Sequence, residues 1–435
     1  MSAERCSTRL ALNRVSRVVV PGLNQNVLVF FAHSALIHIG MLGIADVLLN
    51  FYYVSLGYGP GVIGILQSMP RLGGFLTGVP IGMIANRLGK RRILILANIG
   101  MGASYLLLVL FPTLWMLGIS RFLLGFFYGA NQIVTSPYMV TLTPKDEHTQ
   151  QFAYHNLISM VSVALGSVIG GYLPLQVSRW LSLEGTALLP PEQTITAYSI
   201  SITVAGIVIL LGALPLWWLP IDAPMKRKKT VSDTGVGGTA PWGLLLLFAV
   251  PLFFFGITGG LTFPFYNLLF RESFGLPDGT VGNILAFGWI GMALVPLLNP
   301  LMERRLGRSW SLALLMGIAA VGFVGLGLAG SLVLAVPFFL IGISVRNGMQ
   351  PLFQPLVMSV LPEEHHNLNS SIGLVSWNIG WFGSTASFGW LLPLVGYSGM
   401  MLIVAVGVII TGASIVLVFA HRERDLISWT TKDKR

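Results

Sequence analysis

Twelve apolar stretches, separated by short polar segments, follow one another along the chain. An α-helix needs about 20 apolar residues to cross the hydrocarbon core of a bilayer. The first six predicted spans cover residues 26–50, 60–84, 93–111, 114–137, 152–175 and 198–219. The second six cover residues 242–266, 278–302, 309–328, 332–357, 369–393 and 399–420. The pattern therefore predicts an all-α membrane protein with twelve transmembrane helices.

The composition excludes the soluble and disordered classes. Of the 435 residues, 54% are hydrophobic and 10% are charged, whereas soluble domains are about 25% charged. The single cysteine, Cys6, excludes an internal disulfide and a thiolate metal cluster. The chain contains no Gly-x-x-x-x-Gly-Lys-Ser/Thr phosphate loop and no intramembrane pair of carboxylates. We therefore expect neither an enzyme nor ATP-driven transport, and no cofactor or metal.

The basic residues orient the predicted spans. Of 26 Lys and Arg residues, 21 fall on the side of the N-terminus, two on the other side and three inside spans. Cytoplasmic loops carry an excess of Lys and Arg, so both termini are expected in the cytoplasm and the protein in the inner (cytoplasmic) membrane. Because these residues are spread over six short segments, we expect them to contact membrane lipid and not a nucleic acid.

The second half of the chain repeats the first. A shift of 217–218 positions places Asn50 on Asn267 and Pro137 on Pro355, with little drift over about 100 positions. Each copy holds an even number of spans, so the copies point the same way, as in one architecture of secondary transporters. The predicted domains are a six-helix half at 1–220, a cytoplasmic linker at 221–240 and a second six-helix half at 241–435.

Two motifs resemble those of the major facilitator superfamily. Residues 82–92 read Gly-Met-Ile-Ala-Asn-Arg-Leu-Gly-Lys-Arg-Arg, which is similar to the superfamily's loop signature Gly-x-x-x-Asp-Arg-x-Gly-Arg-Arg. Residues 121–130 read Arg-Phe-Leu-Leu-Gly-Phe-Phe-Tyr-Gly-Ala, which is similar to its span-4 motif. With the repeat, the resemblance covers nearly the whole chain. It implies two six-helix halves around a central cavity that opens alternately to each side of the membrane.

The loop motif predicts a gate. Gly82 and Gly89 permit close helix approach and a tight turn, and Arg87 and Arg91 anchor the turn at the membrane surface. In the superfamily an acidic residue of this loop helps latch the halves together. Here Asn86 takes that position, so we expect a weaker latch. The alternative is that the basic cluster only sets topology.

Ionisable residues inside spans are costly and commonly face a cavity or a partner. Apart from Asp278 at the first position of span 8, Asp46 is the only carboxylate within a predicted span, so we expect it to carry a coupling proton. His38 is a second candidate, since histidine titrates near neutral pH. The resemblance links Arg121 to proton transfer, where its role must be electrostatic. The alternatives are a salt bridge from Asp46 to Arg71 or Arg121, and a packing role for His38.

Further polar and aromatic residues predict a substrate site. Arg71 and Arg346 would bind a carboxylate or phosphate, although each could instead be structural. Glycines and Pro264 predict a break in span 7, and broken helices line cavities. The other candidate substrate-binding residues are Asn50, Asn267, Trp289, Trp377, Asn378 and Trp381.

The sequence thus predicts a proton-coupled secondary transporter of a small solute that acts as a monomer, with an organic anion or other metabolite as the first candidate substrate. Its predicted partners are the small-molecule substrate, membrane lipid and protons. Two alternatives stay open. The aromatic spans permit efflux of amphipathic drugs by proton antiport. The chain could also be a membrane sensor that has lost transport.

Overall fold

The computed structural model describes residues 24–181, 191–220, 242–360 and 366–432, almost all of them helical. The first ten helices are α1 (Gln25–Ser55), α2 (Pro60–Leu88), α3 (Lys90–Leu110), α4 (Leu114–Leu142), α5 (His148–Trp180), α6 (Thr194–Leu216), α7 (Trp242–Phe274), α8 (Asp278–Leu306), α9 (Arg308–Leu328) and α10 (Leu332–Ser359). The predicted linker at 221–240 lies outside the described residues.

The last helical segment, His366–Lys432, contains two spans. Gly396 lies inside it with φ +64°, a left-handed conformation that glycine adopts without steric cost. It divides the segment into α11, residues 366–395, and α12, residues 397–432. Nine helices of the described part are long and apolar enough to cross a membrane, with α11 and α12 counted as one. Each of the twelve predicted spans falls on one of the helices α1 to α12, and the all-α membrane fold is confirmed.

Helix α1 contains a wide turn that the sequence pattern did not predict. Residues Ile39–Ala45 form a π-helix between two α-helical segments. Gly43 of this turn packs against the backbone of α5, where an added Cβ would come within 2.5 Å of the Cα atom of Gly166. π-helical turns occur frequently at functional sites. Asp46 is the first residue after the π-helical turn Ile39–Ala45.

Helix α7 is broken where the sequence predicts it. Its first α-helical segment ends at Gly260, a 3₁₀ turn covers Phe263–Phe265, and a second segment covers Tyr266–Phe274. Proline supplies no backbone N–H, and Pro264 lies within the 3₁₀ turn. The prediction of a break is confirmed. The irregular backbone faces the space between the two halves.

The halves pack against each other at one end of the bundle. We call the end around residues 56–59, where α1 gives way to α2, the distal end, and the end around residue 89 the proximal end. Helix α2 packs on α11 with Gly61 against Gly389, and α5 packs on α8 with Gly171 against Gly282. These four glycines lie in the distal parts of their helices. Close backbone contact therefore closes the distal end.

Candidate functional site

A narrow cleft lies between the halves beside the break in α7. The space in it that is open to a water-sized sphere is about 20 Å³, which is room for about one water molecule. One wall carries the half-buried carboxylate of Asp46, and the other carries the rings of Phe263, Tyr266 and Trp289. The remaining lining residues are Leu42, Val47, Ser167, Asn267, Leu285 and Ile343. Among the described residues, no arginine or lysine lines the cleft.

Asp46 lies in the cleft without an ion pair. The ion pairs between described residues are Arg271–Asp278 and Arg308–Glu303, so Asp46 has no basic nitrogen within 4 Å in this part of the chain. Arg121 and Arg71 act on its charge only from a greater distance. The salt bridge considered as an alternative for Asp46 is therefore absent from the described structure. A carboxylate in this setting is accessible to a proton or a solute.

Arg121 is the first member of a hydrogen-bonded chain that crosses from one half to the other. Its Nη2 donates to Gln67 Oε1 (2.5 Å), and Gln67 Nε2 donates to Asn50 Oδ1 (2.6 Å). Asn50 Nδ2 donates to Asn267 Oδ1 (2.8 Å), and Asn267 Nδ2 donates to the carbonyl of Val47 (2.9 Å). All four side chains are buried. These hydrogen bonds join α4, α2, α1 and α7 next to Asp46, and the bonds of Asn267 cross from the second half to the first.

Arg71 stacks on two tryptophans of the opposite half. Its guanidinium lies 4.0 Å from the ring centroid of Trp381 and 4.6 Å from that of Trp377. Trp381 in turn contacts Phe263 of the cleft, with ring centroids 5.8 Å apart. Stacking of this kind uses the face of the guanidinium and leaves its N–H edge available. Arg71 therefore lies behind the aromatic wall of the cleft.

Arg346 is held inside the second half. Its Nε donates to Thr258 Oγ1 (3.1 Å), a second nitrogen donates to the carbonyl of Phe255, and the guanidinium lies 3.9 Å from the Phe255 ring centroid. The side chain is 1% exposed. Its Nη1 has no partner among the described residues. These contacts tie α10 to α7 beside the break in α7, so Arg346 supports the cleft wall without lining it.

His38 does not line this cleft. It lies with His33 and His155 in a separate small cavity between α1, α4 and α5. His38 Nδ1 is 2.7 Å from the carbonyl of Ser34, and the Ser34 hydroxyl is 2.9 Å from His155 Nε2. The buried Asn131 also lines the cavity, and its Nδ2 has no partner among the described residues. The first half thus contains a second polar cavity.

The remaining predicted site residues that the structure describes do not line the cleft. Asn378 donates to the carbonyl of Leu374 within its own helix and is not part of the cleft wall. Gly89 has φ +82°, which fits the predicted tight turn. Arg91 donates to the carbonyl of Trp217 (2.7 Å) in the same half. The side chains of the other gate residues, Gly82, Asn86 and Arg87, lie outside the described structure.

Three groups of functional interest were not singled out from the sequence. Gln67 joins Arg121 to Asn50, His155 completes the histidine cavity, and Tyr198 bonds across the halves to Asp278. Gln67 carries no charge, but it lies inside the second predicted span, residues 60–84. A search for every polar side chain inside a span would have found it. His155 is ionisable and lies inside the predicted span 152–175, so such a search would have found it too, whereas the role of Tyr198 depends on Asp278, 80 positions away.

Comparison with known proteins identifies the family. The sequence profile of the Major Facilitator Superfamily matches residues 31–385 and 246–434. The MFS-type transporter YfiS of Bacillus subtilis (strain 168) is 24% identical over 354 residues, which is 74% of this chain and 79% of that protein. A bacterial homolog of the human lysosomal transporter Spinster, in an inward-facing and occupied conformation, has the same fold. Its TM-score is 0.71 at 15% identity, over 90% of this chain and 96% of that one.

A further relative matches over a shorter length. The homolog of the multi-drug resistance efflux pump PmrA from Lactococcus lactis subsp. lactis (strain IL1403) is 26% identical over 127 residues. The match covers 29% of this chain and 31% of that protein, so the chain aligns with less than a third of that relative.

Proposed function

We propose that this chain, which belongs to the Major Facilitator Superfamily, is a proton-coupled secondary transporter that moves a small solute by alternating access. The observation that carries the proposal is the unpaired Asp46 carboxylate in the cleft between the halves. A carboxylate that faces the substrate space can take up a proton on one side of the membrane and release it on the other. Arg121 assists through its charge, and His38 provides a second protonatable group nearer the proximal end.

The closed distal end and the charge distribution together support one direction of opening. The described basic residues Lys90, Arg91, Arg304 and Arg308 lie at the proximal end, which the positive-inside pattern of the sequence predicts to be cytoplasmic. Glycine contacts and the Asn50–Asn267 bond close the other end. These observations support an inward-facing state within the proposed cycle, in which the halves rock about the cleft.

The cleft favours an amphipathic solute over an organic anion. Its aromatic rings, from Phe263, Tyr266 and Trp289, face one carboxylate, and this combination suits a cation or a neutral ring compound. The aromatic cleft with its single carboxylate therefore supports the alternative function, efflux of amphipathic drugs by proton antiport. Binding of an anion would require Arg71 to turn its N–H edge from behind the tryptophans into the cleft.

A thermal-shift screen of the purified protein in detergent tests the solute class. The panel contains sugars, amino acids, carboxylates, organic phosphates and cationic drugs. A ligand at 100 times its Kd stabilises a protein by about 2.7 kcal/mol. Melting shifts with lipophilic cations support the aromatic cleft, whereas shifts confined to carboxylates or phosphates support a role for Arg71 and contradict our preference.

Coupling is tested in proteoliposomes with the compound that gives the largest shift. Asp46→Asn is expected to abolish accumulation driven by a pH gradient and to retain exchange of labelled for unlabelled compound, because exchange needs no net proton movement. Asp146→Asn is the matched control, since Asp146 is exposed in a 3₁₀ turn. If Asp46→Asn leaves pH-driven accumulation at the wild-type rate, Asp46 is not the coupling residue.

A further inference from the structure

An ion pair stands at the distal end where the two halves meet. Arg271 Nη1 is 3.4 Å from Asp278 Oδ1, and both residues belong to the second half. Arg271 lies in the last turn of α7, and Asp278 is the first residue of α8. A negative charge at a helix N-terminus is favourable. The pair is therefore self-contained and does not need the first half to satisfy its charges.

One hydroxyl from the first half bridges both members of this pair. Tyr198, on α6, donates to Asp278 Oδ2 (2.6 Å) and accepts from Arg271 Nη1 (2.9 Å). The Arg271 guanidinium also lies 4.4 Å from the ring centroid of Phe51 on α1. Hydrogen bonds to ionised groups are about twice as strong as neutral ones. Tyr198 thus attaches the ion pair of one half to the other half.

We propose that Tyr198 is the positioning residue that holds the distal end closed in the transport cycle. The inference rests on the proposed alternating access, because the bond can act as a latch only if the halves separate there. Separation breaks the two bonds of Tyr198 and leaves Arg271 and Asp278 paired. The Arg271 and Asp278 side chains are 35% and 17% exposed, so water can replace the hydroxyl when the end opens. The latch is therefore reversible.

The buried bonds beside the cleft are different in kind. Asn50 and Asn267 are 0% and 3% exposed and belong to a chain of four buried side chains. Their separation must hydrate several amide groups at once. Tyr198 is itself 3% exposed, but its hydroxyl bonds to two partly exposed charged side chains that water can reach when the distal end opens. We therefore expect Tyr198 to set how often opening begins, with little effect on the fold.

The test measures the distal distance directly. In a Cys6→Ser background, nitroxide labels on Thr113→Cys and Ser331→Cys mark the exposed distal loops of the two halves. Labels on Thr149→Cys and Leu306→Cys mark exposed proximal positions. Double electron–electron resonance then gives the populations of distal-open and distal-closed molecules in nanodiscs. Neither measurement requires a known substrate.

Tyr198→Phe removes only the hydroxyl. We expect the ratio of distal-open to distal-closed molecules to rise about tenfold, which corresponds to about 1.4 kcal/mol, with a matching closure at the proximal pair. Tyr397→Phe is the matched control. Its hydroxyl also donates to a carboxylate, Glu272 (2.9 Å), but both residues belong to the same half. We expect this control to leave the ratio unchanged.

An unchanged ratio of distal-open to distal-closed molecules in Tyr198→Phe would contradict the proposal that Tyr198 is a latch. An equal change of this ratio in Tyr198→Phe and Tyr397→Phe would also contradict it. If Tyr198→Phe does not fold, Asp278→Asn takes its place, since it weakens the same bond. An unchanged ratio in that variant also contradicts the proposal. If distal-open molecules occur in the wild type but no variant changes their number, only the latch fails. If neither label pair reports two populations under any condition, alternating access itself fails.

Discussion

Replacing Gln67 by leucine tests whether the buried polar chain stabilises the closed distal side. The Gln67 amide accepts from Arg121 at 2.5 Å and donates to Asn50 at 2.6 Å. Leucine has a similar volume and offers neither group, so Asn50 Oδ1 and Arg121 Nη2 each lose a buried partner. Hydrogen bonds between membrane helices average about 0.6 kcal/mol and reach about 1.7 kcal/mol. Two such bonds, one of them to a charged group, predict a loss of about 2–3 kcal/mol.

Thermal unfolding in detergent measures this loss. A change of 1 kcal/mol moves the Tm of a unit of 150–250 residues by about 2–4 °C, so Gln67→Leu is expected to lower the Tm by about 5–10 °C. Gln132→Leu is the matched control, because Gln132 is exposed and bonds only to the hydroxyl of Tyr128 at 3.0 Å. Its Tm is expected to stay within about 2 °C of the wild type, as for most surface substitutions.

A double-mutant cycle separates the bond from a general packing effect. If Gln67 acts through Asn50, the loss in Gln67→Leu and the loss in Asn50→Leu should not add, because each variant breaks the same contact. A Tm for Gln67→Leu equal to that of the Gln132 control would refute the reasoning. Full additivity of the two leucine variants would also refute it, since independent sites add.

Two more predictions follow from the contacts around the cleft. Gly43→Val forces a side chain against the backbone of Gly166, so we expect the Tm to fall by at least 5 °C. Gly330→Val is the control, because its side chain meets open space, and it should leave the Tm unchanged. Equal Tm values for the two variants would contradict the packing. Arg71→Leu removes the positive guanidinium from the Trp381 face. In a calorimetric titration we expect the Kd for lipophilic cations to fall about threefold or more. A higher Kd would show that Arg71 contacts the substrate directly.

The sequence predicts the helices and the repeat well, because both depend on patterns along the chain. The break in α7 follows from Gly259, Gly260 and Pro264, and the structure confirms it. The π-helical turn before Asp46 could not be predicted in this way. It depends on the fit between Gly43 and Gly166, which lie more than 120 positions apart.

The positions of charged side chains were harder to predict than the spans. The sequence predicts that Arg71 and Arg346 bind a carboxylate or phosphate, yet Arg346 is bonded to α7 and Arg71 is stacked on tryptophans. An arginine inside a membrane takes whichever carbonyl or ring face is near, and its sequence position does not reveal that choice. The same limit applies to His38, which shares a cavity with His33 and His155.

The internal repeat explains how one cleft can combine symmetry with chemistry. Asn50 and Asn267 are repeat mates, and they bond to each other, so the axis that relates the halves passes between them. The same shift of 217 places Asp46 on Phe263, and both line the cleft. At the Asn50–Asn267 pair, where both halves have the same residue, the two side-chain amides bond to each other. At the unlike pair, a carboxylate faces an aromatic ring. A substrate between them meets a different group on each side, so the asymmetric pair can select a solute while the symmetric pair closes the end of the bundle.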